Sequence, residues 1–179
     1  MGVFKQPGGG DDFLAEVMRW IHKYVPQYKG KGPPQVGNLV LAGHWGVGGI
    51  LSQQAGTMKT PICEVWGFDS MYGQGDDPAA KKPIDVAGQW KDKAVQSHSL
   101  EFEFLFGVMP VPKLRPTTRF FFYWAGSSPK RNAQDLQERV RKAGLSNVTV
   151  EANVHIGGAF HFHTLTANFK KRVAAASCF

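Results

Sequence analysis

Residues 38–55 read Asn-Leu-Val-Leu-Ala-Gly-His-Trp-Gly-Val-Gly-Gly-Ile-Leu-Ser-Gln-Gln-Ala. An apolar run of strand length enters a glycine-rich turn, and a helix-compatible segment leaves it. A strand that passes at once into a helix through a sharp turn places the chain in the α/β class. In that class the turn is where either a catalytic nucleophile or a phosphate is held.

The rest of the chain extends this unit. Residues 1–10, ending Pro7-Gly8-Gly9-Gly10, form a flexible lead-in. Asp11 or Asp12 is placed to cap a helix reaching about Val25, with Phe13, Leu14, Val17, Ile21 and Tyr24 on one face. A second apolar strand spans Ile62 to Phe68 and ends at Asp69. Residues 71–117 are an insertion or lid-like segment. It is irregular over 71–99, and the alternation of Leu100, Phe102, Phe104 and Phe106 with Glu101 and Glu103 then predicts a half-exposed strand. Thr118–Ala125 is a strand buried on both faces. A helix over Asn132–Ala143 is stopped by Gly144, and a strand over Asn147–Val154 and a helix over Leu165–Ala176 follow.

This alternation predicts one α/β domain over residues 11–179, a three-layer parallel sheet with helices on both faces. The loops 43–49, 69–72, 126–128 and 155–163 all follow strands, so they should converge on the carboxyl edge of the sheet, where α/β proteins bind their ligands.

Charge and cysteines narrow the function. A net charge of +7 comes from Lys29/Lys31, Lys81/Lys82, Arg139/Arg141/Lys142 and Lys170/Lys171/Arg172. The last two groups sit near helix C-termini, where cations favour the helix dipole, and no nucleic-acid-binding signature accompanies them. Nucleic acid is therefore not an expected partner. No apolar run reaches the roughly 18–20 residues of a membrane span, and the first residues are not a signal peptide, so a soluble, cytoplasmic protein is expected. Cys63 in a strand and Cys178 near the end do not make a disulfide framework, and no structural disulfide is expected.

The turn Gly43-His44-Trp45-Gly46, Asp69 after the next strand, and Gly157-Gly158-Ala159-Phe160-His161-Phe162 before the last helix together resemble the second half of the serine α/β-hydrolases (esterases and lipases). The resemblance runs from Asn38 to the C-terminus, is short at the N-terminus, and keeps the family's order of elbow, acid and histidine. It implies that Asp69 and His161 are the remnant of a catalytic triad, the acid fixing the tautomer of a histidine that would take the nucleophile's proton.

Three departures stand against activity. Trp45 occupies the serine position, Val47 replaces the glycine two positions later, and only 37 residues precede the nucleophile strand. The resemblance thus implies a pseudoenzyme. Its cleft would bind a small-molecule or protein ligand through His44, Trp45, Gly46, Tyr72 and His163, with no cofactor and no metal. His161 and His163, on one side of an extended segment, lack the cysteine or acidic neighbour that would complete a metal site with His155.

Two alternatives use the same residues. In one, the Gly43–Gly49 loop cradles the phosphate of a nucleotide, with Asp69 on the ribose. In the other, an active hydrolase receives its missing elements from another chain or a longer parent. Each site residue also has a plain structural role: the glycines for a tight turn, Asp69 for an Asx turn, His44 as a packed turn residue.

Overall fold

Four parallel strands lie in the order β1 (Leu39–His44), β2 (Ile62–Phe68), β3 (Arg119–Trp124) and β4 (Val148–Ala152), each beside its predecessor in the chain. Among the described residues, five α-helices accompany them: α1 (Gly9–Tyr24), α2 (Gly48–Thr57), α3 (Val86–Leu105), α4 (Ser127–Lys142) and α5 (Phe160–Ala175). The computed structural model describes the backbone of residues 4, 6–71, 85–105, 118–125, 127–152 and 160–178, and the side chains of these except 96–105, 127, 128, 160 and 161. The general α/β architecture expected from the alternation is the one observed.

Right-handed crossovers in a strand order without reversal put their helices on one face. Accordingly, Leu51 and Ala55 of α2, Val86, Ala87, Trp90 and Ala94 of α3, and Ala133, Leu136 and Val140 of α4 share one buried cluster with Val65, Phe120, Phe122 and Val150. Trp90 is its centre, with its ring centroid 4.9 Å from that of Phe122 and 6.1 Å from that of Phe120. Each of these fully buried aromatics contributes about 1.5–3 kcal/mol. The alternate side chains of β2 and β3, Trp66, Phe68 and Tyr123, form a second cluster against which Leu165 and Ala176 pack.

Local chemistry sets the element ends. Gly144 takes φ 65 after α4, and the Leu145 N–H returns to the Val140 carbonyl, closing a left-handed helix stop. Gly8, at φ 82, precedes α1, which starts before Asp11. Asp11 does not cap that helix. Its carboxylate accepts from the Lys59 and Thr60 N–H groups at 2.7 and 3.0 Å and from the Thr60 hydroxyl at 2.6 Å, tying α1 to the entrance of β2.

Three further expectations are corrected. Residues 86–105 are helical, not irregular followed by a strand. Asp85 accepts a hydrogen bond from the Gly88 N–H at 2.8 Å, capping the helix, and the buried positions 86, 87, 90 and 94 carry helical spacing. The period-two phenylalanines at 102–106 obscured this pattern.

Cys63 and Cys178 form a disulfide across 115 residues, with Cα atoms 6.1 Å apart. The expected absence of a structural disulfide is thereby overturned. Such pairs persist mainly in oxidising compartments, which weighs against the cytoplasmic expectation. Finally, α5 begins at Phe160, so His161 and His163 do not lie on one side of an extended segment. No helix among the described residues is long and apolar enough to cross a membrane.

The disulfide brings the C-terminal tail against a buried ion network. Glu64, fully buried in β2, accepts from Trp66 Nε1 at 2.6 Å, from Arg172 at 2.7 Å, from Arg119, and from the Ser177 N–H and hydroxyl at 3.3 Å. Burial alone would raise the Glu64 pKa, but these donors more than offset it and hold the carboxyl below its ordinary value. The Arg172 guanidinium also lies 3.5 Å from the Phe121 ring centroid.

Candidate functional site

The register sets His44 beside Phe68, Phe68 beside Tyr123, and Tyr123 beside Glu151, so the carboxyl ends of all four strands form one row. Without a reversal of strand order, these four strands have no crevice of the switch-point kind. A site at this edge is built from the loops above it.

At the end of β1 the chain turns at Trp45, which takes φ 56, and passes through a short 3-10 turn (Trp45–Val47) into α2. A left-handed backbone at a bulky aromatic is a genuine outlier, carrying strain of order 1–3 kcal/mol. The same turn directs the indole outward, leaving Trp45 60% exposed. The strained turn thus presents the Trp45 side chain at the carboxyl end of β1.

The surrounding packing holds that turn in place. A Cβ on Gly48 would stand 1.8 Å from the Ser70 carbonyl oxygen, so the start of α2 is pressed against the loop after β2 and only glycine fits. A Cβ on Gly43 would lie 3.0 Å from a methyl of Val47. Gly46 is different: nothing lies within 4 Å of its Cβ direction, so neither space nor φ demands glycine there.

Asp69 is the second left-handed residue, at φ 48, and is fully buried. Its N–H donates to the Tyr123 carbonyl at 2.6 Å, and its Oδ1 accepts from the Ala125 N–H at 3.2 Å. The acid therefore bridges the ends of β2 and β3. His44 sits half-buried at the end of β1, its ring centroid 6.0 Å from that of Phe162 in the first turn of α5. This contact places the start of α5 beside the end of β1. His163 is exposed on α5. Tyr72 and the side chain of His161 lie outside the described residues, as does any contact between Asp69 and His161.

Two residues escaped the sequence reading. Phe162, 70% exposed, adds a second aromatic beside His44 at the end of β1. Ser70 is buried with a hydroxyl that has no hydrogen-bond partner among the described residues, between Gly67 and Gly48. Its place directly after the acid in Asp69-Ser70-Met71 was the one available signal.

An apolar pocket of about 360 Å³ adjoins the turn, lined by Phe4, Leu41, Ala42, Val47, Ile50, Leu51 and Gln54. It lies along the side of β1 and α2. No protein-family model matches the chain, and no curated protein or solved structure matches it.

Proposed function

We propose that this chain is a three-layer, α/β-hydrolase-like domain with a degenerate nucleophile elbow, which binds a small-molecule or protein ligand at the carboxyl edge of its sheet and does not cleave esters. The observation that carries the reading is Trp45: left-handed, strained and exposed at the strand-to-helix turn. Strain of this kind persists where the surroundings over-determine it, and at a turn that presents a side chain it is a sign of function. An indole cannot attack a carbonyl, but together with Phe162 it offers apolar contact area of the sort that dominates recognition. The buried clusters on alternate sides of β2 and β3 support the layered architecture.

The phosphate-cradle alternative fits less well. The packing of Gly48 on Ser70 explains that glycine without a ligand, and it points a carbonyl oxygen at the start of α2, where an anion would need donors. NAD, FAD and ATP at a hundredfold excess over a dissociation constant would stabilise a true nucleotide binder by about 2.7 kcal/mol. Flat melting curves are the expected result.

The test of the main reading restores the elbow. Trp45→Ser with Val47→Gly, checked for folding by thermal melting, should gain hydrolysis of a nitrophenyl ester over the parent. The gain should vanish on adding His161→Ala, because an unassisted serine hydroxyl is a weak nucleophile. It should also be modest if an oxyanion donor is missing, a loss of about 10²–10³. A folded variant without His161-dependent hydrolysis would overturn the hydrolase ancestry of the site.

A further inference from the structure

The apolar pocket of about 360 Å³ beside the strand-to-helix turn is built entirely from described residues. Its volume falls within the roughly 300–1,000 Å³ of small-molecule pockets and is more than twice the roughly 150 Å³ cavity that holds one benzene. Val47, Ile50, Leu51 and Gln54, running from the N-cap of α2 into the helix, recur at the i, i+3, i+4, i+7 spacing of one helical face. At 1.5 Å per residue that stripe is about 10 Å long. Leu41 and Ala42 of β1 form the adjoining wall, and Phe4 forms the third. Volume spread along a helix in this way suits a chain better than a compact ring.

The polar chemistry of this trough is already used. Gln54 is the one polar side chain in the lining. Its Oε1 accepts from the Gly10 N–H at 2.9 Å, and its Nε2 donates to the Phe4 and Gln6 carbonyls at 2.7 and 3.2 Å. These bonds hold the segment that carries Phe4 against α2, and the Phe4 ring is braced by Phe13 with centroids 5.1 Å apart. No charged side chain lines the trough, so a buried carboxylate or ammonium would find no partner there. Leu41, Val47 and Ile50 are aliphatic yet only half-buried, which leaves apolar surface for a ligand to cover.

We infer that this trough binds the alkyl chain of an uncharged small molecule, of the class of medium-chain alcohols and esters. Binding here requires no role for Trp45.

Methyl-resolved NMR can follow Leu41, Val47, Ile50 and Leu51 during titration with 1-butanol, 1-hexanol, 1-octanol and 1-decanol. Their signals should shift together and saturate. Each added methylene should tighten Kd about fourfold, the equivalent of about 0.8 kcal/mol, until the chain outgrows the trough. Decanoate should bind no more tightly than decanol, because the lining offers its charge no partner. Ala42→Leu, at an exposed position in the wall, puts three more carbon atoms into the trough. It should keep the parent melting temperature and bind decanol at least about tenfold more weakly. Vesicles of neutral phosphatidylcholine should not co-sediment the protein. Methyl signals that stay in place, or that move equally in Ala42→Leu, would overturn the assignment. So would tighter binding of decanoate, or co-sedimentation with the vesicles, which would make a charged headgroup or a membrane surface the true ligand.

Discussion

Removing the Cys63–Cys178 bond tests the tertiary structure where the sequence reading failed. The bond closes a loop of 115 residues. In the chain-entropy description, a cross-link of that span withholds about 16 cal/mol/K from the unfolded chain, or about 4.8 kcal/mol at 25 °C. Native contacts partly hold the tail without it: the Asn38 side chain donates to the Cys178 carbonyl, and Ser177 donates to Glu64. These contacts keep the reduced protein native at low temperature, so the loss should appear as stability and not as a change of fold. For a chain of this size, 1 kcal/mol is worth about 2–4 °C, and the double variant Cys63→Ser/Cys178→Ser should therefore melt about 10–20 °C below the oxidised parent. Reductant should lower the parent towards the variant and leave the variant unchanged. Alkylation with mass detection should find no reactive thiol before reduction and two after it. Two alkylated thiols in the untreated native protein, or a melting temperature indifferent to reductant after verified reduction, would refute the reasoning.

Glu64→Gln should destabilise the fold by about 3–5 kcal/mol in urea unfolding, because it strands the buried Arg172 beside an uncharged amide and removes the carboxylate partner of the part-exposed Arg119. The Glu64 and Asp11 carboxyls are both held below their ordinary values of 4.5 and 3.8. The stability they supply is complete above those values and disappears as pH falls through the lower, folded ones. Urea midpoints should therefore drop on acidification below about pH 4.5, and Glu64→Gln should flatten that drop. Gly48→Ala should cost at least about 1–3 kcal/mol through collision with the Ser70 carbonyl, while Gly46→Ala, facing open space, should stay within about 0.5 kcal/mol; thermal melts of the pair decide this. Asp11→Ala removes three hydrogen bonds between α1 and the entrance to β2 and should cost about 1–3 kcal/mol, with faster amide exchange at Lys59 and Thr60 as its local signature.

Whatever rests on short-range pattern was legible in the chain itself. β2 runs over the predicted Ile62–Phe68 because an apolar stretch between Pro61 and Asp69 has one extended solution. The stop at Gly144 followed from the left-handed backbone that glycine alone adopts cheaply, and the alternation of strands and helices was enough for a parallel sheet. The glycine-rich turn after β1 announced a sharp strand-to-helix junction.

Tertiary structure decided the rest, because the deciding partners are far apart in sequence. Helix α3 is fixed by where Trp90 must pack, against Phe120 and Phe122, and its alternating phenylalanines carried the opposite local signal. Asp11 looked like a cap until Thr60 came within reach, and Cys63 and Cys178 looked unrelated until the C-terminal tail passed β2. Composition cannot tell which glycines of the turn are obligatory. Gly48 is and Gly46 is not, because only one of them meets the Ser70 carbonyl. At Trp45 the sequence supplied the identity and the fold supplied the conformation: a strained, outward-facing indole exists only where a strand end and a packed helix start fix the backbone between them.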